Sequence, residues 1–215
     1  MTRIRVSIAA SSPLLMNRFT EAAAAKVSAG TSTAMVSGLR GTPREQAEPK
    51  LYRSANGWPM LPGPNVFRGL IDAGAFHKAG RQKITTQKSS LVPAGVMIEE
   101  PECLLFDPFK PMEQPSWEVD SRSVVIPATG GRIMCHRPRF DSWGLSFSLS
   151  VDDKMFDQAL VRVLVDDLGT KIGLGDFRPA RKGPFGRFVV SRWELILEKE
   201  IIADTEDVRR DQPIT

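Results

Sequence analysis

Apolar and polar residues alternate strictly from Arg3 to Ala9, with Ile4, Val6 and Ile8 on one side and Arg3, Arg5 and Ser7 on the other. A period of two marks a half-buried strand. The alternation returns at Leu145, Phe147, Leu149 and Val151, interleaved with three serines, and again from Gly186 to Glu198. Helical spacing appears twice. Val66, Phe67, Leu70, Ile71 and Gly74 predict a helix over residues 65–78 closed by Gly80. Phe156, Ala159, Leu160, Val163, Leu164 and Leu168 predict another, capped by Asp152 or Asp153 and ended by Gly169. Further strands are expected at 119–126 and 133–136, joined by Thr129-Gly130-Gly131, and Asn56-Gly57 between apolar residues signals a tight hairpin.

The order strand, helix, strand, strand, helix, strand predicts an α+β fold with a ferredoxin-like βαββαβ core. A chain of 215 residues that is 41% hydrophobic suits one domain spanning 1–215. Two stretches stand outside that core. After a short helix at 19–26, residues 27–50 are small and polar without a period, which predicts a flexible insertion. Residues 81–117 break short apolar runs with five prolines, which predicts an inserted arm. Helices on one face of an antiparallel sheet leave the other face for a ligand.

Charge refines the picture through its distribution. Lys and Arg number 29 against 25 Asp and Glu, a net of +4, but residues 131–140 and 171–187 are almost purely basic while 198–211 is acidic. Two cysteines, Cys103 and Cys135, with no CxxC spacing and only two histidines give no disulfide framework or zinc cluster, so no metal is expected. No stretch reads as a targeting or membrane-spanning segment, so a cytoplasmic protein without a membrane partner is expected.

The densest chemistry lies between the second helix and the last strand. Lys171 to Phe188 carries four glycines, two prolines and five cations: Lys171, Gly173, Gly175, Phe177, Arg178, Arg181, Lys182, Gly183 and Arg187 are its candidate ligands. Glycines permit positive φ and close approach of backbone N–H groups to phosphate, cations neutralise it, and Phe177 and Phe185 offer rings to bases. The plainer alternative is a helix stop followed by a solvated hairpin. The run lacks GxxxxGK[ST] and precedes a strand, so it is no Walker loop. A second strip, Arg132, Arg137 and Arg139, either lines a groove with this loop or protects an edge strand by charge. His77 sits at the end of an amphipathic helix and His136 between a cysteine and an arginine, nothing in the sequence pairs either with a nucleophile or carboxylate, and Asp152-Asp153 and Asp166-Asp167 read as caps and helix-surface residues. No catalytic residue and no cofactor are therefore expected.

A ferredoxin-like core whose glycine-rich loop precedes its last strand, here Gly173 to Phe188 ending Gly183-Pro184-Phe185-Gly186-Arg187-Phe188, resembles the RAMP superfamily of CRISPR effector proteins. The likeness is greatest to the backbone subunits that polymerise along guide RNA. The resemblance implies an RRM-like core, a non-catalytic subunit on single-stranded RNA (DNA being the alternative), and copies of itself and other effector subunits as partners. It also implies that residues 81–117 form a thumb-like arm. The loop reads Gly-Leu-Gly-Asp-Phe-Arg-Pro rather than a denser glycine-arginine run, which leaves a phage or mobile-element coat protein as a rival. An endoribonuclease that processes CRISPR RNA and a protein-contacting adaptor are the others.

Overall fold

The computed structural model describes residues 1–20, 24–25, 28–30, 41–125 and 130–196. The fold is α+β with antiparallel sheets. Strand β1 (Thr2–Ala10) lies inside the main sheet, paired to β10 (Gly144–Val151) on one side and to β11 (Phe188–Ile196) on the other, with a bulge at Ser7/Ile8 against β11. Beyond β10 come β6 (Val96–Ile98) and β7 (Glu102–Phe106), and β7 pairs with β3 (Met60–Pro62). The strand order is therefore β11-β1-β10-β7-β3, with β6 also on β10.

The period of two does what it predicts. Ile4, Val6 and Ile8 face Leu149, Phe147 and Leu145 across the ladder, all buried, while Arg5 and Ser146 point the other way and are exposed. Helix α2 (Gly63–Ala73) brings Val66, Leu70 and Ala73 to this core, and α4 (Gln158–Asp167) brings Val161, Leu164 and Val165. The two helical segments approach closely where Gly69 faces the Leu168 side chain. Trp143 packs edge-on against Phe188 at 6.3 Å and donates its indole N–H to the Ser12 carbonyl at 2.9 Å, which satisfies its polar end.

A smaller sheet stands beside the first. Strand β2 (Leu14–Leu15) pairs with β9 (Arg132–Phe140), and β9 with β8 (Glu118–Val125). Helix α1 (Pro43–Ala47) lies near this pair, with Arg44 over the Trp117 ring at 4.0 Å. A two-stranded hairpin of β4 (Lys78–Ala79) and β5 (Gln82–Lys83), and a short helix α3 (Val92–Gly95), complete the described elements.

Several expectations are corrected. Within residues 81–117, β6 and β7 join the main sheet rather than an arm, and in β7 Cys103 and Leu105, apolar at period two, are both buried. The pair predicted as core strands near 119–136 instead forms the smaller sheet. Residues 41–50, part of the expected flexible insertion, hold α1, fixed by a capping box in which Glu45 N–H donates to Thr42 Oγ1 and Thr42 N–H to Glu45 Oε2. Residues 31–40, half of the helix expected at 19–26, and the acidic stretch after 196 lie outside the described residues. Helix α2 ends earlier than expected and Gly80, at φ +60°, turns the β4–β5 hairpin instead. The second helix is capped by Asp157, whose carboxylate accepts from Leu160 N–H at 2.7 Å, not by Asp152 or Asp153; its buried face holds Val161, Leu164 and Val165, and Val163 faces solvent. The Asn56-Gly57 hairpin forms as read, with Gly57 at φ +76°.

The alternation gives a direct test by urea denaturation. Phe147→Ala should cost about 3–5 kcal/mol through lost burial and a residual cavity. Ser146→Ala, one residue along and on the solvent face, should stay within about 0.5 kcal/mol.

Candidate nucleic-acid interface

The glycine-rich segment is held by its backbone. After α4 a π-helical turn (Leu168–Ile172) closes with Gly173 N–H on the Leu168 carbonyl at 2.7 Å. The loop then docks on the start of the smaller sheet: Asp176 N–H donates to Leu15 O at 2.8 Å, Gly186 N–H to Pro13 O at 2.8 Å and Leu174 N–H to Gly186 O at 2.9 Å. Gly175 (φ +73°) would clash with the Leu15 carbonyl if it carried a Cβ, and Gly186 (φ +71°) with that of Leu174. Phe177 and Lys182 adopt positive φ without being glycine, at +46° and +62°. A non-glycine residue in that region is held there by its surroundings.

Between this loop, the residues after β2 and the face of α2 lies a cleft of about 500 Å³, lined among others by Tyr52, Asn65, Arg68, Phe177, Arg178 and Arg181. Gly173, Gly175 and Arg137 also line it. Asn65 and Arg68 are three residues apart on α2 and so share a face.

The predicted cations divide sharply. Arg137 is only 5% exposed, and its guanidinium bridges Asp176 of the loop at 2.9 Å and Asp120 of β8 at 3.2 Å. Burial opposes its charge, but donation to Asp176 and the field of Asp176 and Asp120 hold its pKa above the usual guanidinium value. Its Nε–H has no hydrogen-bond partner among the described residues. Arg139 pairs with Glu118 and Asp141. Lys171 pairs with Asp167 at 2.5 Å and lies over Phe76, and Arg187 donates to the Thr170 carbonyl. These last three do not line the cleft, so the structure separates them from the expected phosphate ligands. Lys182 and Gly183 turn the loop just beyond the cleft, where Gly183 N–H donates to Arg178 O. Phe185 is buried, 6.0 Å from Phe177 and beneath Arg122, and so has no free face for a base.

Arg178 and Arg181 remain. Neither has a carboxylate within ion-pair distance among the described residues. Arg178 donates to Gly175 O at 3.0 Å, and burial followed by repulsion from Arg181 pushes its pKa below the usual guanidinium value. A half-buried cation crowded by a second one is relieved by an anion. Arg68, which also lines the cleft and pairs with Asp72 at 3.0 Å, was missed by sequence reading because a single arginine on a helix surface carries no pattern.

The histidines also find partners that sequence reading missed. His77 Nε2 is 2.7 Å from Asp167, which was expected on the helix surface but is buried. His136 Nδ1 is 2.7 Å from Ser121 Oγ across the β8–β9 pair. Burial alone would raise the Asp167 pKa, but donation from Lys171 and His77 holds it below the usual carboxylate range. Cys103, buried in the core, has its thiol pushed up to about 12 by burial and by Glu100. No cluster of three metal-ligating side chains occurs among the described residues. No helix among them is long and apolar enough to cross a membrane.

Two substitutions separate construction from contact. Arg137→Ala takes from Asp176 its ion pair and leaves the buried Asp120 with Arg122 alone, and should cost about 3–5 kcal/mol by thermal or urea unfolding, whereas Arg181→Ala should leave the melting temperature unchanged. Asp167 has a folded-state pKa below its unfolded value of about 3.9, so its contribution is present above about pH 4 and is lost as pH falls through the folded pKa. Melting curves taken down the acid limb should show that loss in the wild type and a flatter profile in Asp167→Asn.

No family model matches the chain, and no curated protein matches it. Among solved structures it is similar to a chain of the cryo-EM structure of the Type III-B Cmr-beta bound to cognate target RNA, at 12% identity and a TM-score of 0.49. The match covers 91% of this chain and 60% of that one, so this chain spans less than two thirds of its neighbour's length. A likeness of that degree carries no argument, and the functional reading rests on the cleft.

Proposed function

We propose that this chain is a non-catalytic subunit that binds the phosphate backbone of single-stranded nucleic acid, RNA in the first place. On this reading copies of it assemble side by side along the strand, with other subunits, in a cytoplasmic CRISPR-type ribonucleoprotein effector. The observation that carries the binding role is the pair Arg178 and Arg181, which have no carboxylate partner among the described residues, at the cleft beside the strained Phe177. Phosphate would relieve the crowding of the two cations, and Tyr52 and Phe177 present rings where bases would follow.

The element order supports reading the core as a ferredoxin-like βαββαβ unit: β1, α2, β7, β10, α4 and β11, with neighbours β11-β1-β10-β7. Along β1 and β10 the open sheet face carries Arg5, Ser7 and Ser146 rather than aromatic rings, which favours the loop cleft over the sheet as the binding surface. Side-by-side assembly is supported by Val125, Ile133 and Met134, which are 54%, 45% and 56% exposed on the β8–β9 pair.

The test is fluorescence anisotropy with labelled single-stranded RNA and DNA of matched sequence across a salt series. Wild-type binding should weaken steeply with salt, and Arg178→Ala/Arg181→Ala should bind more weakly with a log–log salt slope lower by about 1.4, or ~0.7 for each phosphate no longer neutralised. Absence of binding at low salt, or a double variant indistinguishable from wild type, overturns the reading. RNA should also emerge intact; cleavage lost in His77→Ala or His136→Ala would overturn the non-catalytic part.

A further inference from the structure

Arg68 lines two cavities. One is the cleft of the glycine-rich loop; the other is a groove of about 740 Å³ on the far side of Arg68, between the outer face of α2 and residues 83–90. We infer that a bound strand does not end in the cleft but continues across Arg68 into this groove, where Lys83 and Lys88 take its next phosphates. The inference rests on the proposed nucleic-acid-binding reading.

Three observations carry it. First, the charge is predominantly positive, and the two lysines hold theirs unspent. The groove contains Arg68, Lys83 and Lys88 against the single carboxylate of Asp72, and Asp72 is occupied by Arg68 at 3.0 Å. Both lysines are exposed, and neither has a carboxylate within ion-pair distance among the described residues. Joined to Arg178 and Arg181, they extend a track of cations with Arg68 at its centre.

Second, the groove wall is rigid. Ile84 is buried in the core, Ile84 N–H donates to His77 O at 3.1 Å and Thr85 N–H to Gly74 O at 3.2 Å. Gly74 has no side chain because Thr85 Oγ1 lies 2.5 Å from where its Cβ would be. At the tip, Thr86 N–H donates to Ser89 O at 2.8 Å, while Thr86 Oγ1 accepts from the backbone N–H groups of Lys88 and Ser89. Lys88 is thus presented from a closed turn, and little loop entropy remains to be lost on binding.

Third, the remaining lining suits a sugar-phosphate chain. Four hydroxyls, those of Thr85, Thr86, Ser89 and Ser90, line it beside Gln87 and the cations, and Ile71 and Ala75 are its apolar side chains.

The experiment compares single-stranded RNA of about 4 nucleotides with RNA of about 12, a range that spans the site sizes of single-strand binders, on wild type, Lys83→Ala/Lys88→Ala and Lys83→Arg/Lys88→Arg. The wild type should bind the longer RNA more tightly and with the steeper salt dependence. The alanine pair should lose about tenfold on the longer RNA, leave the shorter one unchanged and melt at the wild-type temperature, and the arginine pair should retain binding. An alanine pair that binds the longer RNA as wild type does overturns the inference, whether the groove holds only solvent or an acidic protein segment. In that case the proposed function stands if Arg178→Ala/Arg181→Ala still weakens binding. A wild type that binds neither length overturns both.

Discussion

The Arg137 guanidinium is the joint of the molecule. It stems from β9 of the smaller sheet, reaches Asp120 on the neighbouring strand and Asp176 in the loop that leads to β11 of the main sheet. Burying a guanidinium costs several kcal/mol unless carboxylates accompany it, so this charge is tolerated only while both sheets and the loop hold one arrangement. The cleft exists because of that requirement: the loop residues on either side of Asp176 are those that line it.

Backbone contacts make the arrangement narrow. Where the loop crosses the Leu14–Leu15 strand, main chain meets main chain at distances that leave no room for a Cβ at Gly175, and the return at Gly186 is as tight. Such crossings convert a flexible sequence into a fixed one, and the positive φ of Phe177 shows that the constraint extends to a residue that would not choose it. Arg178 follows directly, so its position is inherited from the strain beside it. A cation held in place before a ligand arrives loses little freedom when it binds, which is how a small number of arginines can hold a strand.

Strands with a strict period of two were legible in the sequence, as were the apolar face of α2 and the glycine-rich connection, because each depends on neighbours along the chain. Other features depend on partners far away. Residues 96–106 look like fragments between prolines, yet they complete the main sheet once β10 offers an edge. Asp157 outcompetes Asp152 and Asp153 as a cap because of where the chain turns after β10, which periodicity alone does not locate. The basic residues were legible as a class but not as individuals: Arg137, Arg139, Lys171 and Arg187 satisfy groups within the fold, and only a three-dimensional neighbour separates them from Arg178 and Arg181. Arg68, Lys83 and Lys88 are single cations in unremarkable settings, and topology alone gathers them.

That division of cations sets the electrostatics of the surface. An arginine already bridged by two carboxylates adds little field outside the protein, whereas an unpaired one in a partly desolvated cleft adds much more, since low dielectric walls weaken screening. Net charge is therefore a poor guide to affinity here: +4 over the whole chain coexists with a local excess along the track from Arg181 through Arg68 to Lys88. Salt acts on the unpaired cations first and on Arg137 hardly at all, because the latter is buried with its partners. The same ion pair that closes the fold thus keeps the shape of the cleft constant under conditions that change its occupancy.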